Sequence, residues 1–261
     1  MNVAVCVKQI PDPAEPMSLD PNDYTLIRSG KLILDDSDSF GVEMALQLAE
    51  ASGGGDVVLI SMAPNNETSG LRTALAMGAA SAVLVSDPVL HGSDALGTAK
   101  VLAAAIRTMD PQPDLVLAGT EATDGYTGTT PVQLAELLGW PSVTFAKHVE
   151  VADGIVKVQR QTEAGYDEVT SPLPAVVTVT AGVVEPRYPS FKGIMAARSK
   201  TVAEHTVSSL GLDEGSVGAA GARQSVVSVE AAEARSSGEV VEDEGDAHER
   251  IVAFLEQIKV L

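Results

Sequence analysis

The residues with the most chemical promise lie in one run, GTEATDGYTGTT at positions 119–130. It is long, small and polar, it follows an apolar stretch at 115–118, and it leads into a helical pattern. Thr130, Pro131 and Gln133 fit a capping box, with a hydroxyl at the cap, proline first in the helix and glutamine third. Unpaired N–H groups and the dipole at such a helix start favour an anion. Glycines let a ligand approach the backbone closely. A phosphate-bearing nucleotide is one reading of the run. A surface loop with an ordinary helix cap is the other, and the residues do not choose between them. The run lacks the Gly-Lys-Ser/Thr of a phosphate loop and the Gly-x-Gly-x-x-Gly of a dinucleotide fingerprint.

Other chemically active residues are sparse. Cys6 falls in a short β-branched run and reads as packing rather than as a nucleophile. Asp35, Asp36 and Asp38 crowd a helix start, where dipole compensation explains them better than a metal does. His91, His148, His205 and His248 are scattered without ligand spacing, and no Gly-x-Ser-x-Gly elbow is present. No metal site and no catalytic constellation is expected.

The elements that must position the run follow from hydrophobic periodicity. Apolar runs at 3–7, 57–61, 83–85 and 115–118 alternate with helical patterns, among them Val42, Ala45, Leu46 and Ala49. Strands apolar on both faces imply a parallel sheet covered on both sides, hence a doubly wound α/β fold. In such a sheet ligands sit beyond the strand carboxyl ends, where strand order reverses. The first and fourth strands end there, at 6–8 and 119–120. After Pro141 the pattern changes: runs at 143–151, 155–161 and 175–180, with Asp153-Gly154 as a hairpin signal, read as an antiparallel extension. Residues 1–207 are expected to form the α/β domain. Residues 208–261 read as an extended arm closed by a short amphipathic helix bearing Ile251, Phe254, Leu255 and Ile258.

The chain has 261 residues, with 17 Lys plus Arg against 36 Asp plus Glu, a net charge of −19. That balance argues against nonspecific nucleic-acid binding and against docking to anionic lipid. One cysteine makes no internal disulfide and no cysteine-based metal site. No apolar run is long enough to span a bilayer and the chain opens directly on a strand pattern. A cytoplasmic or organelle-matrix protein without signal peptide or membrane insertion is the expectation. Residues 185–200 depart from the acidic background, with four basic residues and one acidic. Glu185, Pro186, Arg187, Tyr188, Phe191, Ile194 and Met195 lie in or just after a proline-rich turn there. Either the apolar members anchor a helix to the core, the reading toward which the residues tilt, or they form an exposed loop that docks a partner.

Five strings carry a family resemblance: VCVKQIPD at 5–12, LRTALAMGA at 71–79, TDGYTG at 123–128, LPAVVTV at 173–179 and EPRYPSFKGIM at 185–195. In order and over nearly the whole chain, they resemble the β subunit of electron-transfer flavoprotein. The resemblance implies an obligate heterodimer with an α subunit, on which residues 208–261 would pack, and one FAD held mainly by that subunit. It implies AMP in this subunit, with contacts from Cys6, Asp35 to Asp38, Met62, Ala122, Thr123, Asp124, Gly125, Thr127, Gly128, Thr129, Thr130 and Gln133. Thr127 to Thr130 would take the phosphate, and adenine would rest near Cys6 and Met62. Residues 185–195 would dock acyl-CoA and other flavin dehydrogenases, with Phe191 where the family usually places Leu. Electrons would then pass to a quinone-linked oxidoreductase, so the chain would be a carrier subunit rather than an enzyme.

Three departures bear on partner choice. Val184 stands where the family has Asn, Gln161 follows Arg160 where the family often has Arg then Glu, and Arg198-Ser199-Lys200 is less basic than usual. Two alternatives remain. A bifurcating β subunit would bind a second FAD in place of AMP and oxidise NADH; the loop shares Asp124, Gly125 and Thr127 with that pattern and differs at Tyr126, Gly128, Thr129 and Thr130. A stand-alone adenine-nucleotide-binding regulator is the alternative of another class.

Overall fold

A computed structural model describes residues 1–63, 65–230, 238, 240, 242, 243 and 245–261. In chain order the elements are β1 (Val3–Cys6), β2 (Gln9–Pro11), β3 (Leu32–Leu34), α1 (Asp36–Ala51), β4 (Val57–Ala63), α2 (Ser69–Met77), β5 (Ser81–Ser86), α3 (Ala95–Arg107), β6 (Leu115–Gly119) and α4 (Thr130–Leu138). Then follow β7 (Ser142–Ala152), β8 (Ile155–Thr162), β9 (Gly165–Pro172), β10 (Ala175–Val179), α5 (Phe191–Ala197), β11 (Val202–His205), α6 (Gly218–Gly221) and α7 (Ala247–Gln257). Nine strands form one sheet in the order β11-β5-β4-β1-β6-β10-β7-β8-β9. From β11 to β7 all neighbours are parallel, and β7-β8-β9 is an antiparallel extension.

The fold is the expected α/β doubly wound, mostly parallel sheet with helices on both faces. β1, β4 and β6 are buried because their Val, Leu, Ile and Ala side chains meet a helix layer on either side. Val3, Val5, Leu59 and Leu117 pack with α1 and α2, while Ala4, Ile60 and Val116 pack with α3 and α4. From β1 the chain winds outward through β4 to β5, then returns to lay β6 against the other side of β1. Strand order therefore reverses between β1 and β6, as expected.

Three features differ from the sequence reading. β10 belongs to the parallel sheet, between β6 and β7, rather than to the antiparallel extension. Its five residues are all buried, which is the pattern of a central parallel strand. The extension gains its third strand from β9, a polar segment. β11 and the small β2–β3 pair are further strands outside that reading; β3 is the short apolar run Leu32-Ile33-Leu34, whereas β11 has no continuous apolar run behind it.

Two compact units divide the chain, residues 1–226 and 227–261. The first thus runs past position 207. Val207 and Val217 are fully buried beside α3, and Gly218 and Arg223 donate backbone N–H bonds to Ser93 Oγ and Asp94 Oδ2. Gly218 lies so close to Val89 that an added Cβ would meet its carbonyl oxygen at 1.8 Å. The second unit contains α7. No helix among the described residues is long and apolar enough to cross a membrane.

Candidate functional site

The carboxyl ends of β1 and β6 open under the 120–129 loop, and buried carboxylates hold this floor together. Asp35 caps α1 by accepting from Ser37 N–H, and its second oxygen accepts from Thr123 N–H at 2.7 Å and Thr123 Oγ1 at 3.1 Å. Asp38 accepts from Lys8 N–H at 2.6 Å. Gly119 fits closely beneath them: a Cβ there would lie 3.1 Å from both Asp38 Oδ1 and Ser37 Oγ. The aspartates at this helix start therefore do more than compensate a dipole. They tie the nucleotide-loop candidate to the helix and to the end of β1.

Asp124 is held differently. Its fully buried carboxylate accepts from Lys8 Nζ at 2.6 Å and from Arg28 Nη2. Burial alone would raise its pKa, but the two cations outweigh that and hold it below the usual carboxylate range. Asp38 goes the other way. Burial, helped by the charge of Asp35, pushes it up to about 8, against the pull of its N–H donors. Burial first, and the neighbouring Asp38 second, push the Cys6 thiol up to about 12, so it is no ready nucleophile. Cys6 and Met62 are partly buried and pack against the α3–α4 side of the sheet.

The capping box sits one residue away from the expected place. Thr129 is the cap residue, Thr130 and Pro131 open the helix, and no side chain closes the cap. Among the described residues, the N–H groups of Thr127, Gly128, Thr129 and Thr130 donate to no protein acceptor. Gln133 Oε1 is buried there without a hydrogen-bond partner. Ala122 and Thr123 are half-buried, while Gly125, Thr127 and Thr129 are exposed. Tyr126 and Gly128 both have positive φ, 47° and 61°, so the loop turns sharply just before α4. An anion and a hydrogen-bonding base fit these donors and this orphaned acceptor. Glu121 Oε2 lies close enough to contact a Cβ at Gly128, so one acidic group stands beside the donors. Among the described residues, no group of three or more His, Cys, Asp or Glu side chains could hold a metal ion.

The second candidate region projects from the fold. Tyr188 is 93 % exposed and Phe191 81 %, and Ile194, Met195 and Glu185 are also exposed. The reading that sends these apolar residues into the core is thereby excluded. Ala197 alone of α5 is buried. Arg187 turns inward instead, onto Glu43 and Glu50 of α1, and Pro186 is half-buried beside it.

Residues 23–210 match the family model described as "Electron transfer flavoprotein domain". The electron transfer flavoprotein subunit beta of Mycobacterium bovis is 38% identical over 265 residues, covering 100% of this chain and 99% of that protein. The chain belongs to the electron transfer flavoprotein β-subunit family. The Megasphaera elsdenii subunit beta is 35% identical over 97% of this chain and 95% of its own length. A further relative is the caffeyl-CoA reductase-Etf complex subunit CarD of Acetobacterium woodii, 37% identical over 77% of each chain. As an electron transfer flavoprotein β subunit, the protein is an electron-carrier subunit, and the β designation implies an α partner.

In this β subunit the structure brings Cys6, Asp35, Asp38 and residues 122–130 to one mouth of the sheet. Sequence reasoning missed Lys8 and Arg28, the cations that hold Asp124, and Glu43, the acceptor for Arg187. Lys8 was findable as the first charged residue after β1. Arg28 and Glu43 carry no local signal, because their partners lie 96 and 144 residues away.

Proposed function

We propose that this β subunit pairs with an α subunit, binds AMP at the β1–β6 mouth as a structural ligand, and docks acyl-CoA and other flavin dehydrogenases. Electrons pass through an FAD shared with the α subunit toward a quinone-linked oxidoreductase. The observation that carries the nucleotide reading is the row of four unpaired N–H groups at residues 127–130. They supply donors for a phosphate where the α4 dipole also favours one. Gln133 Oε1 could accept from a ligand hydroxyl or amino group, and Cys6 and Met62 could cover a ring. Asp124 is then a brace of the loop, since Lys8 and Arg28 already occupy it. The exposed apolar side chains of residues 188–195 support the docking reading, because isolated soluble surfaces seldom cluster such groups.

A second reading has one observation in its favour. A relative that belongs to a caffeyl-CoA reductase-Etf complex supports a bifurcating role, with a second FAD at the same mouth and NADH oxidation. One experiment separates the two. The chain is co-expressed with its α partner, the complex is denatured, and released nucleotides are counted. One FAD and one AMP per heterodimer is the expected result. Two FAD together with NADH oxidation would overturn the AMP assignment.

A further inference from the structure

We propose that Glu43, on a helix that contributes nothing to the docking surface, is a positioning residue for dehydrogenase engagement: through Arg187 it fixes how Tyr188 and Phe191 are presented. The proposal rests on the docking reading above. Its basis is the way the projecting segment is mounted.

The Glu43 side chain is 4 % exposed, and all its acceptor capacity points at one residue and one neighbour. Oε2 accepts from Arg187 Nε at 2.6 Å and from Arg187 backbone N–H at 3.2 Å. Oε1 accepts from Arg187 Nη2 at 3.0 Å and from Gln47 Nε2 at 2.8 Å. A single carboxylate thus grips both the main chain and the planar fork of residue 187, and Glu50 takes the remaining Nη1 at 3.0 Å. The grip holds Glu43 below the usual carboxylate range although burial alone would raise it. Pro186 and Pro189 restrict φ on either side of this clamp.

The other end of the segment is fixed independently. Ser190 Oγ caps α5 by accepting from Gly193 N–H at 3.0 Å. Gly193 lies against α2 so closely that a Cβ would sit 2.4 Å from Ala76 O. Arg72 of α2 donates to Ala197 O and Lys200 O, both at 2.7 Å. Between these two mounts stand the exposed apolar side chains. Glu43 is buried but the Arg187 side chain is 37 % exposed. Exposed ion pairs add little stability and buried ones can often be replaced by apolar residues at no cost, so stability is a weak reason for the pair to be here. Fixed geometry is a better one. A surface held in its binding conformation loses less entropy when a partner engages it.

The test uses the complete heterodimer with FAD, in three variants. Glu43→Gln keeps the side-chain shape but places an N–H against the Arg187 fork. Arg187→Lys keeps the charge but loses the fork. Phe191→Ala removes the proposed anchor itself. A flavin dehydrogenase is assayed with the heterodimer as varied electron acceptor, alongside flavin content and thermal melting. Glu43→Gln and Arg187→Lys are expected to raise KM for the heterodimer about tenfold, the scale of one lost preorganised contact region, with kcat and flavin content unchanged. A raised KM for Phe191→Ala with no change for Glu43→Gln or Arg187→Lys would overturn the proposal and leave docking intact. Loss of flavin, or of kcat, in both clamp variants would also overturn it, by assigning the clamp to folding. No effect of Phe191→Ala would sink the docking reading itself.

Discussion

Asp124 shows how a residue can be found by sequence while the side chains that hold it are not. It stands in the loop that polarity and glycine content single out, yet its carboxylate is occupied by Lys8 and Arg28. Loop composition marks where polar chemistry gathers. It does not reveal which cation arrives from a segment 96 residues away. Removing the carboxylate leaves two like charges facing each other with Lys8 still partly in water. Asp124→Ala is therefore expected to cost about 2 kcal/mol, below the full loss for a dry buried pair. The effect carries a pH signature. Because the folded pKa of Asp124 is depressed, its stabilisation is present above the unfolded value of about 3.9 and disappears as pH falls through the folded value. Melting curves of both proteins should converge in acid and stay apart near neutrality. A gap that persists unchanged at low pH would show that the ion pairs are not its source.

At the scale of elements, legibility follows burial. β1, β4, β5 and β6 could be read because each is a continuous apolar run flanked by turn signals, and α1 because its apolar residues keep helical spacing. β10 carried the same all-buried pattern, but a preceding hairpin signal drew it into the antiparallel group. β9 and β11 owe their pairing to neighbouring strands rather than to their own composition. α5 is the instructive case. It has seven residues and one buried side chain, too little for periodicity to decide which way its apolar residues point. Its orientation comes from contacts with α2, where Arg72 holds Ala197 O and Lys200 O and Gly193 permits the close approach. A methyl group there meets Ala76 O at 2.4 Å, so Gly193→Ala must push α5 outward. The expected cost is about 1–3 kcal/mol, as for other overpacked contacts. Hydrogen exchange should show faster opening at residues 191–197, with the central strands unaffected. Unaltered protection at α5 would mean that the contact yields without moving the helix.

For the whole molecule, the charge distribution sets how partners are met. Against the acidic total of −19, residues 185–200 stand out in the sequence as a local basic and apolar island. The structure takes half of that island away. Arg187 is committed to Glu43 and Glu50, and Lys200 donates to Leu75 O and Ala79 O. Lys192 and Arg198 remain exposed, beside the apolar side chains of Tyr188, Phe191, Ile194 and Met195. Two exposed cations steer weakly, since free charges are screened within about 10 Å at 0.1 M salt. Apolar contact is not screened in this way, and the clamp under the segment is partly buried and therefore also resistant. Coupling to a dehydrogenase should accordingly depend little on salt. Between about 20 and 300 mM, KM for the heterodimer is expected to change less than about threefold. Any drift should favour higher salt when the partner is acidic, because screening relieves its repulsion from the rest of this surface. A KM that climbs tenfold or more over that range would mean that Lys192 and Arg198, and not the apolar tip, hold the complex together.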